Sequence, residues 1–266
     1  MFAEIISIGD ELLIGQVVNT NASWMAARLN DAGIRVKQIS AISDERGLIF
    51  NALNEALLRA DIILLTGGLG PTKDDITKSV LAEYFNVELI FNEDVFENIK
   101  NIFGKHGRTI SDINRDQALI PANAKPIDNN FGTAPGMWFE RDDKIIVSMP
   151  GVPYEMKAMM EHYIIPELQK RFTMGAIFHK TVLTTGIGES ALAEKIESWE
   201  SNLPDNIKLA YLPKPGIVRL RLSAFGKATD QLEKTINREI QKLLLLIPEF
   251  IFGYEDDTLE KKLVIF

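Results

Sequence analysis

Two hydrophobic periods take turns along this chain. Short unbroken apolar runs, Glu4 to Ile8 and Asp61 to Leu65, read as strands buried on both faces. Between them, apolar residues recur at helical spacing over about Ala22 to Asp31, with Thr20 or Asn21 as the cap and Gly33 as the stop. Ile34 to Ile42 alternates as a strand, Ser43 to Gly47 is a loop, and the segment to Arg59 is a helix. Strands alternating with helices of this length predict a doubly wound, mostly parallel sheet with right-handed crossovers. Ligands of such sheets bind at the carboxyl ends of the strands, where Gly9-Asp10-Glu11, Asp44 and the stretch Thr66 to Asp75 emerge.

That last stretch follows a strand and precedes a helical pattern, Ile76 to Phe85. Gly67, Gly68 and Gly70 let the backbone approach a ligand closely, and the next helix start favours negative charge. Asp74 and Asp75 then sit beside the anion, which makes sense with a divalent cation between them. A tight turn with an acidic helix N-terminus fits the same residues. Further on, Asn92 to Gly107 reads as a covering helix and 121–136 as a loop-rich stretch, either an elaborate turn or a binding wall. Met137 to Glu140 and Lys144 to Met149 form a hairpin-like pair, and Pro150-Gly151-Val152-Pro153 leads into a helix of about Tyr154 to Arg171 as a second candidate anion site.

From Phe172 onward the order is strand 178–184, helix 189–199, strands 207–212 and 217–225, helix 229–246 and strand 250–252, the split βαβ arrangement of small α/β domains. Thr185 to Ser190 is an anion loop or, as the stronger reading, a helix start capped by Ser190 or Glu189; Tyr211 to Gly216, with Lys214, is a lid or a plain hairpin turn. The tail, 254–266, starts a helix and stops after about two turns, as at a boundary before a further module.

Composition narrows the chemistry. The absence of cysteine excludes disulfides and thiolates, and His106, His162 and His179 show no metal-ligand spacing, so a metal here would be a hard cation on carboxylates and phosphate. A net charge of −8 argues against a nucleic-acid protein held by a bulk basic field. No targeting signal or membrane-length apolar run is visible, so the expected compartment is the cytoplasm.

Ile8 to Gly15, Asn19 to Asn21, Thr66 to Thr72 with Asp74 and Asp75, Gly132 to Gly136, Met149 to Pro153 and Thr185 to Ser190 together resemble the CinA family, in order and over essentially the whole chain. The resemblance implies a three-layer α/β/α mostly parallel domain over 1–171, like the molybdopterin-binding domain of the MogA, MoaB and MoeA proteins. A small KH-like split βαβ domain over 172–254 follows, then a truncated linker, 255–266. Many CinA proteins continue into a domain that deamidates nicotinamide mononucleotide, and this chain stops where that domain would begin.

The resemblance further implies a metal-dependent pyrophosphatase that splits ADP-ribose, or a related nucleotide diphosphate sugar, into AMP and ribose 5-phosphate, in a homodimer. The backbone of Gly67, Gly68, Leu69 and Gly70 with Thr72 would hold one phosphate, and Pro150, Gly151 and Val152 another anionic group. Gly132, Thr133 and Ala134 would contact the nucleoside or terminal ribose phosphate, Gly9 and Asn19 would add binding contacts, and Lys214 would approach from the second domain. Asp75 with Asp10 or Glu11 would ligate magnesium, manganese or cobalt, and Asp44 would orient the water or add a further ligand, with Asp44 and Asp75 as the catalytic pair. The rival is a module, non-catalytic or of adenylyl-transfer type, that binds molybdopterin. In those relatives the loop usually reads Thr-Gly-Gly-Thr-Gly, and Leu69 at the fourth place favours the nucleotide sugar. RNA binding is disfavoured, since Gly186 and Gly188 have the wrong spacing for a GXXG clamp.

Overall fold

The apolar runs become the middle of a six-stranded sheet. The computed structural model describes residues 1–105, 109–173, 175–255 and 257. His106, the end of the helix read to Gly107 and the tail helix at 258–266 lie outside the described residues. By its contacts the chain forms two units, Met1–Thr173 and Met174–Phe266.

The first unit runs β1 (Phe2–Ile8), α1 (Asp10–Leu13), α2 (Thr20–Asp31), β2 (Arg35–Ile42), α3 (Arg46–Arg59), β3 (Ile62–Thr66) and α4 (Thr77–Tyr84). It continues through β4 (Leu89–Phe91), α5 (Glu93–Lys105), α6 (Asp112–Asp116), β5 (Leu119–Pro121), β6 (Lys125–Ile127), β7 (Gly136–Arg141) and β8 (Lys144–Met149). Helix α7 (Pro153–Met159), a π-helical turn (Met160–Ile164) and α8 (Ile165–Arg171) close it. The strand order is β2-β1-β3-β8-β7-β6. Pairing is parallel from β2 to β8 and antiparallel beyond.

Register decides what meets at the carboxyl edge. Ile42 pairs with Ile8, Ser7 with Thr66, and Thr66 with Met149, so the loops after β2, β1, β3 and β8 leave the sheet side by side. The chain reverses direction across the sheet between β1 and β3, which makes that edge the expected crevice. On one face Ile6, Ile8, Ile63, Leu65 and Phe139 pack under Ile49, Leu53 and Ala56 of α3 and Val80 and Leu81 of α4. Helix α2 buries Ala22, Met25 and Leu29, one stripe at helical spacing, and packs with α7.

Several boundaries differ from the sequence reading for local reasons. Asn19, not Thr20 or Asn21, caps α2, its side chain accepting from the Ala22 amide at 3.1 Å. The stretch 121–136 is not all loop, because three-residue strands β5 and β6 pair with β4 and β7. The long helix after Pro153 loosens into a π turn, with the Ile165 amide donating to the Met160 carbonyl; Pro166 follows at once, where no amide is left to continue the regular ladder. Asp142 and Asp143, both at positive φ, make the two-residue turn that suits the twist between β7 and β8.

The second unit is β9 (Ala176–Thr185), α9 (Glu189–Ser201), β10 (Ile207–Lys214), β11 (Ile217–Gly226), α10 (Thr229–Leu246) and β12 (Ile251–Tyr254). Its sheet order β10-β11-β9-β12, antiparallel throughout, is the split βαβ arrangement. Leu192, Ile196 and Trp199 of α9 and Ile236, Ile240 and Leu243 of α10 share one core with Val182, Leu220 and Leu222. Gly188 occupies the cap of α9 and no side chain caps that helix, so neither Ser190 nor Glu189 has the capping role expected of it. The Lys214 segment is a strand end, paired with Ile217 across a tight turn at Pro215 and Gly216.

One buried ion pair ties α3 to the sheet. Glu4 is 1% exposed, and Arg59 grips its carboxylate with both arms, Nε at 2.7 Å and Nη2 at 2.8 Å. Arg59→Met is expected to lower unfolding stability measurably in urea titration, because it leaves the buried Glu4 carboxylate without its partner. A change below about 0.5 kcal/mol, the usual size at uncoupled surface positions, would contradict this.

Candidate functional site

The four strand ends open into a cavity of about 500 Å³ within the first unit. Its wall at β3 is built by Gly67, at φ 113°, and Gly68, at φ 65°, conformations that only glycine adopts without strain. A Cβ at Gly67 would overlap the Ile8 carbonyl oxygen on the neighbouring strand end. The Gly67 amide donates to the Met149 carbonyl at 3.0 Å, and Thr66 Oγ1 donates to the Pro150 carbonyl at 2.9 Å, so the loops after β3 and β8 are fastened together. Among the described residues, the amides of Gly68, Leu69 and Gly70 donate to no protein acceptor. Three successive free N–H groups are the kind of backbone run that can receive an anion. Across from it, Asn21 Nδ2 donates to the Gly151 carbonyl at 2.7 Å, and Val152 caps α7.

Of the residues singled out above, Gly9, Glu11, Asn19, Asp44, Gly67, Gly68, Leu69, Gly70 and Asp75 line this cavity, as do Thr133, Ala134, Pro150, Gly151 and Val152. The lining does not include Asp10, Thr72, Gly132 or Lys214. Asp10 accepts from the Ser43 hydroxyl at 2.5 Å. Thr72 folds back on Asp75, giving its carboxylate both the amide at 3.0 Å and the hydroxyl at 2.5 Å. Gly132 lies against the Glu155 carboxylate, and Lys214 belongs to the second unit. Asn19 Nδ2 donates to Ser7 Oγ at 3.0 Å besides capping α2. The Asp44 carboxyl is raised above its ordinary value by burial first, then by the charges of Glu11, Asp10 and Asp74, against the lowering effect of the Asp10 amide.

The expected metal set is therefore not gathered. The carboxylates of Asp10 and Asp75 are engaged by donors of the chain itself, and among the described residues no group of three or more His, Cys, Asp or Glu could hold a metal ion. Leu69 also changes meaning. It is 4% exposed and packs into the core with Ile8, Ile49, Val80 and Ala134, presenting its backbone to the cavity. Its side chain anchors the loop from the core side.

Sequence reasoning passed over two residues here. Glu155, 7% exposed, lines the cavity from the first turn of α7, and Asn129 Nδ2 donates to its Oε2 at 2.7 Å. Asn129 also binds the Ala134 carbonyl at 2.8 Å and takes the amides of Phe131 and Gly132 at 3.1 and 3.0 Å, so one buried side chain sets the course of the 129–134 loop. The only signal was an Asn within a Pro- and Asn-rich stretch and a Glu early in a helix, positions usually solvated.

The fold is an α/β/α domain with a cavity at the carboxyl edge of its sheet, followed by a small antiparallel α/β domain. Residues 4–170 match the family described as "Probable molybdopterin binding domain", and residues 179–253 match "Damage-inducible protein CinA KH domain". A CinA-like protein of Flavobacterium psychrophilum is 48% identical over 98% of this chain and 63% of its own length. One of Cytophaga hutchinsonii is 43% identical over 98% of the chain and 62% of its own length. The crystal structure of the protein CinA of Thermoplasma acidophilum, described as of unknown function, is 33% identical with a TM-score of 0.56, covering 64% of this chain and 96% of that one. The chain belongs to the CinA family, and it spans 62–63% of the length of those two curated relatives.

These findings overturn the hydrolase expectation. Neither matched domain is described as a hydrolase, the second is a KH domain, and the described residues offer no metal cluster for a metal-dependent pyrophosphatase. With ADP-ribose hydrolysis go the hydrolase and metal-binding descriptions. Among the described residues no helix is long and apolar enough to cross a membrane.

Two outcomes are expected. Leu69→Thr should destabilise the chain by about 2–3 kcal/mol, as a core truncation that also buries a hydroxyl, while ligand affinity at the cavity changes less than about threefold. A large affinity change at unaltered stability would return Leu69 to ligand selection. Burial also raises the Glu155 carboxyl above its ordinary value of 4.5, the Asn129 amide opposing. The folded chain then holds this proton more tightly than the unfolded one, so the stabilisation is full below the ordinary value and is lost as pH rises through the raised one. Glu155→Gln, which does not ionise, should gain in Tm relative to wild type as pH rises from about 4 to about 7; a pH-independent difference would contradict this.

Proposed function

We propose that the first unit is a binding module for a phosphorylated pterin of the molybdopterin class. The observation that carries the reading is the run of three free amides at Gly68, Leu69 and Gly70, opening into a cavity of about 500 Å³ at the carboxyl edge of a parallel sheet. The match of residues 4–170 to a probable molybdopterin binding domain supports it from a separate direction. In this reading the phosphate rests on the amides after β3. The remainder of the ligand extends toward Ala134 and Glu155, the other side of the same cavity. Leu69, held in the core, keeps the cradle rigid, so little ordering is needed on binding.

Pterin fluorescence gives the test. Neopterin monophosphate should bind the whole chain saturably, inorganic phosphate should compete, and neopterin without its phosphate should bind at least about tenfold more weakly, since charge-assisted hydrogen bonds to backbone amides are lost. Absence of saturable binding, or equal affinity for the two pterins, would contradict the proposal.

A further inference from the structure

Glu155 is an unusual group to leave at a cavity wall. It is 7% exposed, and it has one hydrogen-bond donor, Asn129 Nδ2, on Oε2. No described cation pairs with it, and Oε1 accepts nothing. Oε1 therefore keeps its full accepting capacity for a donor of a bound molecule. Its orientation is set before any ligand arrives. Asn129 spends both donors and its acceptor on Glu155, the Ala134 carbonyl and the amides of Phe131 and Gly132, so the carboxylate cannot swing away without breaking that network. Gly132 lies so close that a Cβ there would overlap both carboxylate oxygens. Glu155 also lines a second cavity, of about 230 Å³, on the side of Asp128, Asn130 and His162.

We infer that the Glu155 carboxylate selects the heterocycle of the ligand by accepting two adjacent N–H donors from a 2-amino-4-oxopyrimidine edge. This inference rests on the binding proposed above and names what that reading leaves open, the feature that distinguishes the bound ring. A ring N–H beside an exocyclic amine presents two parallel donors, and a carboxylate answers them with two oxygens in the forked pairing that makes such contacts specific. A ring with a carbonyl in place of the exocyclic amine sets an acceptor against the buried charge and is rejected. The same edge occurs in pterins and in guanine. The phosphate cradle and the family match favour the pterin.

The test compares two fluorescent probes that share a phosphorylated side chain, a pterin and the corresponding lumazine, which carries oxygen in place of the 2-amino group. The whole wild-type chain should bind the pterin at least about tenfold more tightly than the lumazine. Glu155→Gln should bring the two within about threefold of each other, with competition by inorganic phosphate unchanged. Equal wild-type affinities for the two probes would overturn the inference and leave the binding module standing; failure of both to bind would overturn both. Retained discrimination in Glu155→Gln would assign the selection elsewhere and overturn it too. A preference for GMP over IMP, without one for pterin over lumazine, would overturn the assignment to pterins. Should the variant not fold by circular dichroism, the wild-type ratio decides alone.

Discussion

One buried hydrogen bond fastens the carboxyl edge of the first sheet, from Thr66 Oγ1 to the Pro150 carbonyl at 2.9 Å. It extends the pairing of β3 and β8 past the last paired residues, and the Gly67 amide, donating to the Met149 carbonyl at 3.0 Å, does the same from the backbone. Gly67 stands where any side chain would overlap the end of β1, so the chain must turn there. Because Gly67 spends its amide on β8, the next three amides leave the sheet with no strand to pair with. The free N–H groups of the cradle are thus the cost of a crowded strand junction, turned toward a cavity.

The rest of the site depends on that junction in two ways. Leu69 drops into the core between α3 and α4, so the loop is held from below by apolar packing and not by a ligand. On the far side, Asn129 and Glu155 hold the 129–134 loop against α7 with a largely buried polar network. A wall of free amides and a wall bearing a carboxylate face one cavity, each set in place by buried groups. Such preorganisation suits selective binding of one charged, donor-edged molecule.

Much of the sheet was legible because its strands are buried on both faces: Ile62 to Leu65 has no alternation to confuse, and the helices between such runs carry clean apolar stripes. The glycine loop and the turn at Pro150 were legible as partners, since topology alone brings strand ends together. What escaped were features set by tertiary contact. Strands β4, β5 and β6 are three residues each, too short for any period to show. The inward turn of Leu69 and the burial of Glu155 depend on neighbours far along the chain. The carboxylates Asp10 and Asp75 suggested a metal by proximity, and local donors, Ser43 and Thr72, claimed them instead. Family resemblance carried the architecture correctly and the hydrolytic chemistry wrongly, because shared loops describe a site's frame and not the groups that complete it.

The central claim is that the free amides after β3 receive the ligand's phosphate. Amide chemical-shift mapping of the isotopically labelled chain during titration with neopterin monophosphate tests it residue by residue. The account predicts the largest amide shifts at Gly68, Leu69 and Gly70, reproduced by inorganic phosphate at higher concentration. Saturable binding that leaves those three amides unmoved would contradict it.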